Sequence, residues 1–141
     1  MKKTLCAAAL AAALGWGAAA QADDGVIRIG FITDMSGLSA DADGPGGAEA
    51  IKMAIADFGG SVAGKKIEVL VADHQNRADI ASSRAREWLD QKGVNMLIAG
   101  ANSAAALAMA KVAEEKKTPF FVVSAGASEL TNSQCTPYTV H

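Results

Sequence analysis

The chain has 141 residues, half of them hydrophobic and a fifth charged, with 13 basic against 15 acidic side chains. The basic residues are scattered, among them Arg28, Lys65, Lys66, Arg77, Arg84, Arg86 and Lys111. With no run or stripe to neutralise phosphates, nucleic acid is excluded as a partner, and a chain this long buries one core in one domain.

Residues 1–22 read as an export leader. Lys2 and Lys3 form a positive start, residues 5–20 are uncharged and rich in Ala and Leu, and Ala20-Gln21-Ala22 has the small-x-small form that signal peptidase cuts. The apolar run falls short of the ~20 residues of a spanning helix, so cleavage after Ala22 and no stable membrane insertion are expected. Cys6 stands at the front of that run, where lipid attachment would not place it. Cleavage leaves 11 basic against 15 acidic residues, and Cys135 as the single remaining cysteine. Cys135 is expected to be a small buried hydrophobe, or else half of a bridge closed elsewhere.

From residue 23 onward, four apolar runs alternate with longer helical patterns. The runs are residues 26–33, 67–73, 95–100 and 119–124; they are nearly continuous in Ile, Val, Leu and Phe, as in strands covered on both faces. The first helix is predicted over residues 47–58, with Ala48, Ile51, Ala54, Ile55 and Phe58 inward and Gly59-Gly60 as its stop. A second spans residues 78–91 with Ala81, Ala85, Trp88 and Leu89 on the inner face, Trp88 being core rather than a ligand platform, and Gly93 ends it. A third covers residues 103–117, with Ser103 as N-cap, Leu107, Ala110 and Ala113 inward, and Lys116 and Lys117 at the negative end of the dipole. The fold class is therefore α/β, a parallel sheet flanked by helices. Residues 136–141 read as the start of another extended segment, so the sheet is expected to be incomplete and the chain to be part of a longer protein.

Ligands of open parallel sheets bind outside the carboxyl ends of the strands. Four loops qualify: residues 34–46, 74–77, 101–103 and 125–128. In Gly100-Ala101-Asn102-Ser103-Ala104-Ala105, a strand ends on glycine and a helix opens on a hydroxyl residue, which brings free N–H groups and the positive end of a dipole to one point. Ser103 either only caps its own helix or also presents donors to an anion. The glycines of the first loop lack the spacing of a dinucleotide fingerprint and the Lys-Ser/Thr of a P-loop, and Asp34, Asp41 and Asp43 would repel phosphate. A receiver domain would need an aspartate where Gly100 stands, and no G-x-S-x-G elbow occurs. Asp73 and His74 are neighbours on an extended chain without further ligands at metal spacing, and neither His74 nor His141 belongs to a nucleophile motif. His74 is expected to be a polar loop residue near the cleft, a ligand contact being the sharper reading. No cofactor motif, metal site or catalytic constellation emerges, and the chain is expected not to be an enzyme.

Five stretches together resemble the periplasmic receptors of the branched-chain amino acid ABC importer type, or type I periplasmic binding proteins. They are residues 30–37 (Gly-Phe-Ile-Thr-Asp-Met-Ser-Gly), Gly47-Ala48-Glu49, Ala72-Asp73-His74-Gln75-Asn76, Asn102-Ser103-Ala104 and Glu129-Leu130-Thr131. The Asp-His-Gln-Asn loop and residues 131–138 are most similar to the branch that takes aromatic or other hydrophobic carboxylic acids. A cysteine pair common in amino-acid-specific members is absent here near residues 73–77 and 101–103.

The resemblance implies two α/β lobes joined by a hinge, of which this chain supplies most of the first. It further implies that Ser103, with its neighbours Asn102 and Ala104, holds a ligand carboxylate. The loop bearing Ala125, Gly126 and Ser128 would add carbonyl and hydroxyl contacts, and Ser36, Gly37 and Leu38 would line the cleft entrance. The implied partners are a small carboxylate and the permease subunits of an ABC importer. The competing class is the ligand-sensing domain of an extracellular receptor.

Overall fold

The structure, a computed structural model, describes residues 24–141. The leader, its cleavage point and Cys6 lie outside them.

Strand β1 (Val26–Thr33) leads through a short helix α1 (Ala40–Asp43) into α2 (Pro45–Asp57). A hairpin strand β2 (Ser61–Val62) then turns into β3 (Lys65–Asp73). Helix α3 (Ala78–Gln91), β4 (Val94–Ala99), α4 (Ser103–Lys116), β5 (Phe120–Val122), a 3-10 turn at Ser128–Leu130 and β6 (Thr139–Val140) complete the order. The six strands form one sheet in the order β2-β3-β1-β4-β5-β6. All neighbours are parallel except β2, which runs antiparallel to β3. The parallel α/β sheet expected from the alternating runs is present, and the extended tail becomes β6.

Two short elements escaped the sequence pattern. The β2 hairpin closes through Ala63 and Gly64, both at positive φ, and two residues are too few to show a period. Helix α1 is a single turn inside a loop. Helix α2 starts earlier than expected, at Pro45, whose missing N–H costs nothing in a first turn.

Helices α3 and α4 share one face of the sheet. Ala81, Ala85 and Trp88 of α3 and Ala105, Ala106, Met109, Ala110 and Ala113 of α4 pack on Ile32, Leu97, Ala99, Phe120 and Val122. Trp88 is core, as its spacing implied, and it lies directly on β1. A Cβ at Gly30 would come within 2.8 Å of the Trp88 ring, so only glycine lets the indole lie flat on the strand. Alanines facing one another let the two helices come together, and Arg86–Glu115 and Lys116–Asp90, each at 2.6 Å, lace the exposed rim. Such exposed pairs add little stability each.

The opposite face carries α2, with Gly47 seated on the Phe31 ring. Here the expected inward stripe holds only in part. Ala48 is buried and Ile51 and Ile55 half-buried, whereas Ala54 and Phe58 are exposed. No described element lies over that end of the helix. The same face of β5 and β6, with Val123 just past the end of β5, leaves Phe121, Val123 and Val140 at 38%, 45% and 56% exposure. Cys135 is exposed, not buried as expected. It sits in the surface turns between the 3-10 turn and β6, where no core approaches.

From β1 the chain crosses to β3 on one side, then passes back over β1 to β4 on the other. The sheet order therefore reverses between β1 and β4, and the loops leaving these strands diverge. In open parallel sheets, such a reversal is where ligands lodge.

Candidate functional site

The loop after β1 is held down by three aspartates. Asp34, buried to 1% exposure, accepts from the Gly37 N–H at 2.8 Å and the Ser39 N–H at 2.9 Å. Asp73, at the end of β3, accepts from the Met35 N–H at 3.0 Å, the Gln75 N–H at 2.7 Å and the Ser36 hydroxyl at 2.6 Å. Burial acts to raise the Asp73 pKa, but these donors together outweigh it and hold it below the usual carboxylate range. Asp43 accepts from the Thr33 hydroxyl at 2.8 Å, while its Oδ2 is buried without a hydrogen-bond partner among the described residues. Ser36 and Gly37 thus sit at the rim on a braced turn, with Leu38 at its tip, 94% exposed.

The turn after β4 rests on that bracing. A Cβ at Gly100 would lie 2.5 and 2.6 Å from the Asp43 carboxylate oxygens, so the glycine lets the backbone settle against the Thr33–Asp43 pair. The helix that follows does not begin as expected. Asn102, not Ser103, is the N-cap: it is extended, and its Oδ1 accepts from the Ala105 N–H at 2.7 Å. Ser103 is the first helical residue. Its hydroxyl is thereby released from capping, because an N-cap side chain reaches forward to the third helical residue and Asn102 already holds that place. Neither Ser103 nor Ala104 has an intrahelical acceptor for its N–H. Ser103 is half-buried and Ala104 exposed.

His74, expected as a polar loop residue near the cleft, is buried to 1% exposure. Its N–H donates to the Thr33 carbonyl at 2.9 Å, which extends the β1–β3 ladder by one residue and draws the ring inward. The Nδ1 accepts from the Asn76 N–H at 3.0 Å. Burial lowers its pKa below the usual 6.5, against the pull of the Asp34, Asp73 and Asp43 carboxylates. The imidazole is therefore held neutral, with its proton on Nε2. Among the described residues, no group of three or more His, Cys, Asp or Glu side chains could hold a metal ion.

One link joins the β3 and β4 ends: the Asn102 Nδ2 donates to the Asn76 Oδ1. Asn76 is missing from the expected site residues, although a Gln-Asn pair straight after a strand is a turn signal. The loop bearing Ala125, Gly126 and Ser128 lies one strand further out, tied to β4 by the Val123 N–H and the Ala99 carbonyl at 2.9 Å. Its Gly126 and Ser128 are exposed, but Ala125 is buried and its carbonyl contacts the His141 imidazole at 2.6 Å. The Ala125 oxygen is occupied, by a histidine that no local pattern linked to this loop.

The family model described as periplasmic binding protein matches residues 26–141. A crystal structure of a periplasmic binding protein from Burkholderia mallei is similar at 65% identity and a TM-score of 0.82, over 83% of this chain and 31% of that one. A branched-chain amino acid ABC transporter periplasmic ligand-binding protein from Burkholderia xenovorans is 36% identical, with a TM-score of 0.78 over 82% of this chain and 31% of that one. A solute-binding protein of an ABC transporter from Rhodopseudomonas palustris, in complex with 3,4-dihydroxybenzoic acid, is 35% identical, with a TM-score of 0.73 over 83% and 31%. The chain spans about a third of the length of these structures. Its sheet and helices correspond to one lobe of a type I periplasmic binding protein. No curated protein matches the chain.

Proposed function

The chain belongs to the periplasmic binding protein family, and from that premise we propose that it forms the first lobe of the solute-binding component of an ABC importer, capturing a small carboxylate at the start of α4. The whole protein's work is then to bind and release a solute for its permease. A leader over residues 1–22, cut after Ala22, would deliver it to the periplasm.

One observation carries the choice of carboxylate. At the start of a fourteen-residue helix, the N–H groups of Ser103 and Ala104 and the Ser103 hydroxyl are left for an external acceptor once Asn102 has taken the cap. Donors that converge at the positive end of a helix dipole suit a planar anion with two oxygens. In the loop after β1, Ser36 to Leu38 are braced by Asp34 and Asp73, whose charges are spent on backbone N–H groups and the Ser36 hydroxyl. An aromatic acid is favoured over an amino acid by the 3,4-dihydroxybenzoic acid in the Rhodopseudomonas palustris relative.

Calorimetry on the full-length protein tests this with benzoate, 3,4-dihydroxybenzoate and leucine, each beside the amide that lacks its carboxylate charge. Binding of the aromatic acids with at least roughly tenfold preference over the amides is expected, the value of a hydrogen-bonded charge. Equal affinity for benzoate and benzamide would remove the anion from the start of α4.

A further inference from the structure

We propose that Asn76 is the positioning residue for the anion-binding end of α4, holding the Asn102 amide in the one orientation that caps the helix. The link to ligand affinity rests on the function proposed above; the link to the cap does not.

An asparagine amide has two faces of opposite character, and only its oxygen can accept from a helical N–H. In Asn102 the Oδ1 receives the Ala105 N–H and the Nδ2 donates to the Asn76 Oδ1. Turned over, Asn102 would set its NH2 against the Ala105 N–H and its oxygen against the Asn76 oxygen, which replaces two attractions with two repulsions. The Ala105 N–H sets the orientation of Asn102, and Asn76, with its oxygen turned toward Asn102, reinforces it.

The Asn76 backbone is held in place. Its N–H donates to Nδ1 of the buried His74 at 3.0 Å, and the next residue, Arg77, closes a turn onto the His74 carbonyl at 2.8 Å. Gln75 and Asn76 both lie in the left-handed region, at φ 52° and 57°. Side chains other than glycine pay for that conformation, asparagine among the least. Two such residues in succession aim the Asn76 side chain away from β3 toward the neighbouring turn. With Asn102 held, the cap is satisfied internally, and Ser103 and Ala104 keep their donors for ligand.

The test compares Asn76→Gly, which suits the backbone and deletes the side chain, with Asn102→Ala, the double variant, and Asn76→Asp, which keeps the accepting oxygen. All are made in the full-length protein. Amide hydrogen exchange at Ala105, read by NMR without ligand, is the first readout. It is expected to speed up in Asn76→Gly, to recover in Asn76→Asp, and to be no faster in the double variant than in Asn102→Ala.

The second readout is affinity for 3,4-dihydroxybenzoate, expected to fall roughly threefold to tenfold in Asn76→Gly, the weight of one neutral hydrogen bond. Ser103→Pro is the control for the site. Asn102 is already extended, so proline fits the first helical position while deleting both the N–H and the hydroxyl of Ser103. Unchanged Ala105 exchange in Asn76→Gly would overturn the proposal whatever the ligand. Weakened binding in Ser103→Pro with none in Asn76→Gly would break the link from Asn76 to the ligand. Faster exchange with affinity unaltered in both variants, or with no binding by the wild type, would instead sink the functional reading and leave the hold on the cap standing.

Discussion

Asn102 caps α4, and the ligand contact proposed for its neighbour Ser103 is a separate task, though the two are easily assigned to one residue. Asn102→Ala removes the cap and is expected to cost about 1 kcal/mol of stability. Ser103→Ala should change stability by less than about 0.5 kcal/mol yet raise the dissociation constant for an aromatic carboxylate roughly tenfold to hundredfold. Denaturation and calorimetry on both variants check the division, and a Ser103→Ala protein that loses stability but keeps its affinity would reverse it. His74 makes a second claim at this scale. Its folded pKa lies below the ordinary 6.5 because the ring is buried, so on acidification the unfolded chain takes up the proton first. The contribution is complete above about pH 6.5 and is lost as pH falls toward the folded value. Protonation also spends the Nδ1 that receives the Asn76 N–H. The melting temperature should therefore drop between about pH 7 and pH 5, and His74→Asn, which keeps an accepting atom near the same place, should flatten that slope. Parallel slopes in the two proteins would remove His74 as the cause.

Helix α4 is the element on which the site depends, and its two ends are built differently. The N-terminus is capped by a side chain, while the C-terminus closes on Lys117 at φ 53°, whose N–H donates to the Glu114 carbonyl at 3.1 Å. Residues with a Cβ pay about 1–2 kcal/mol in that conformation, and glycine pays little. Lys117→Gly should thus stabilise the protein by about 0.5–1 kcal/mol, less than the full strain because glycine also gains freedom in the unfolded chain. Urea denaturation of the variant beside Lys116→Gly, which lies within the helix and should destabilise, measures it; destabilisation by both would mean the left-handed residue carries no strain worth relieving. The loop after β1 shows the opposite economy. It lacks regular structure for most of its length, yet Asp34, Asp43 and Asp73 fasten it to β1 and β3, so the rim that carries Ser36 and Gly37 is stiff without being a helix or strand.

The two faces of the sheet are unequal. One is closed by α3 and α4, whereas Phe121, Val123 and Val140 are exposed on the other and β6 ends the sheet with an unpaired edge among the described residues. Exposed apolar strands beside an open edge invite association. Residues 24–141 produced alone should therefore self-associate in analytical ultracentrifugation, and Phe121→Lys with Val123→Lys should raise the monomer fraction. A wild-type segment that sediments as a monomer at high concentration would show that this face needs no cover. Local composition and period were enough to make the parallel sheet, the span of α3 and the core role of Trp88 legible, because strand continuity and helical spacing are properties of a few neighbouring residues. The start of α4 was legible as a strand-to-helix turn for the same reason, the glycine, the cap and the helix all lying within six positions. Which of Asn102 and Ser103 caps it was not, since the two differ only in which one the incoming chain leaves extended. The burial of His74, the exposure of Cys135, the seat of Gly100 on Asp43, the occupation of the Ala125 carbonyl by His141 and the grip of Asn76 on Asn102 belong to tertiary structure alone. Each depends on how separate elements come together once the sheet has formed, and no local pattern encodes an outcome chosen by the path of the chain.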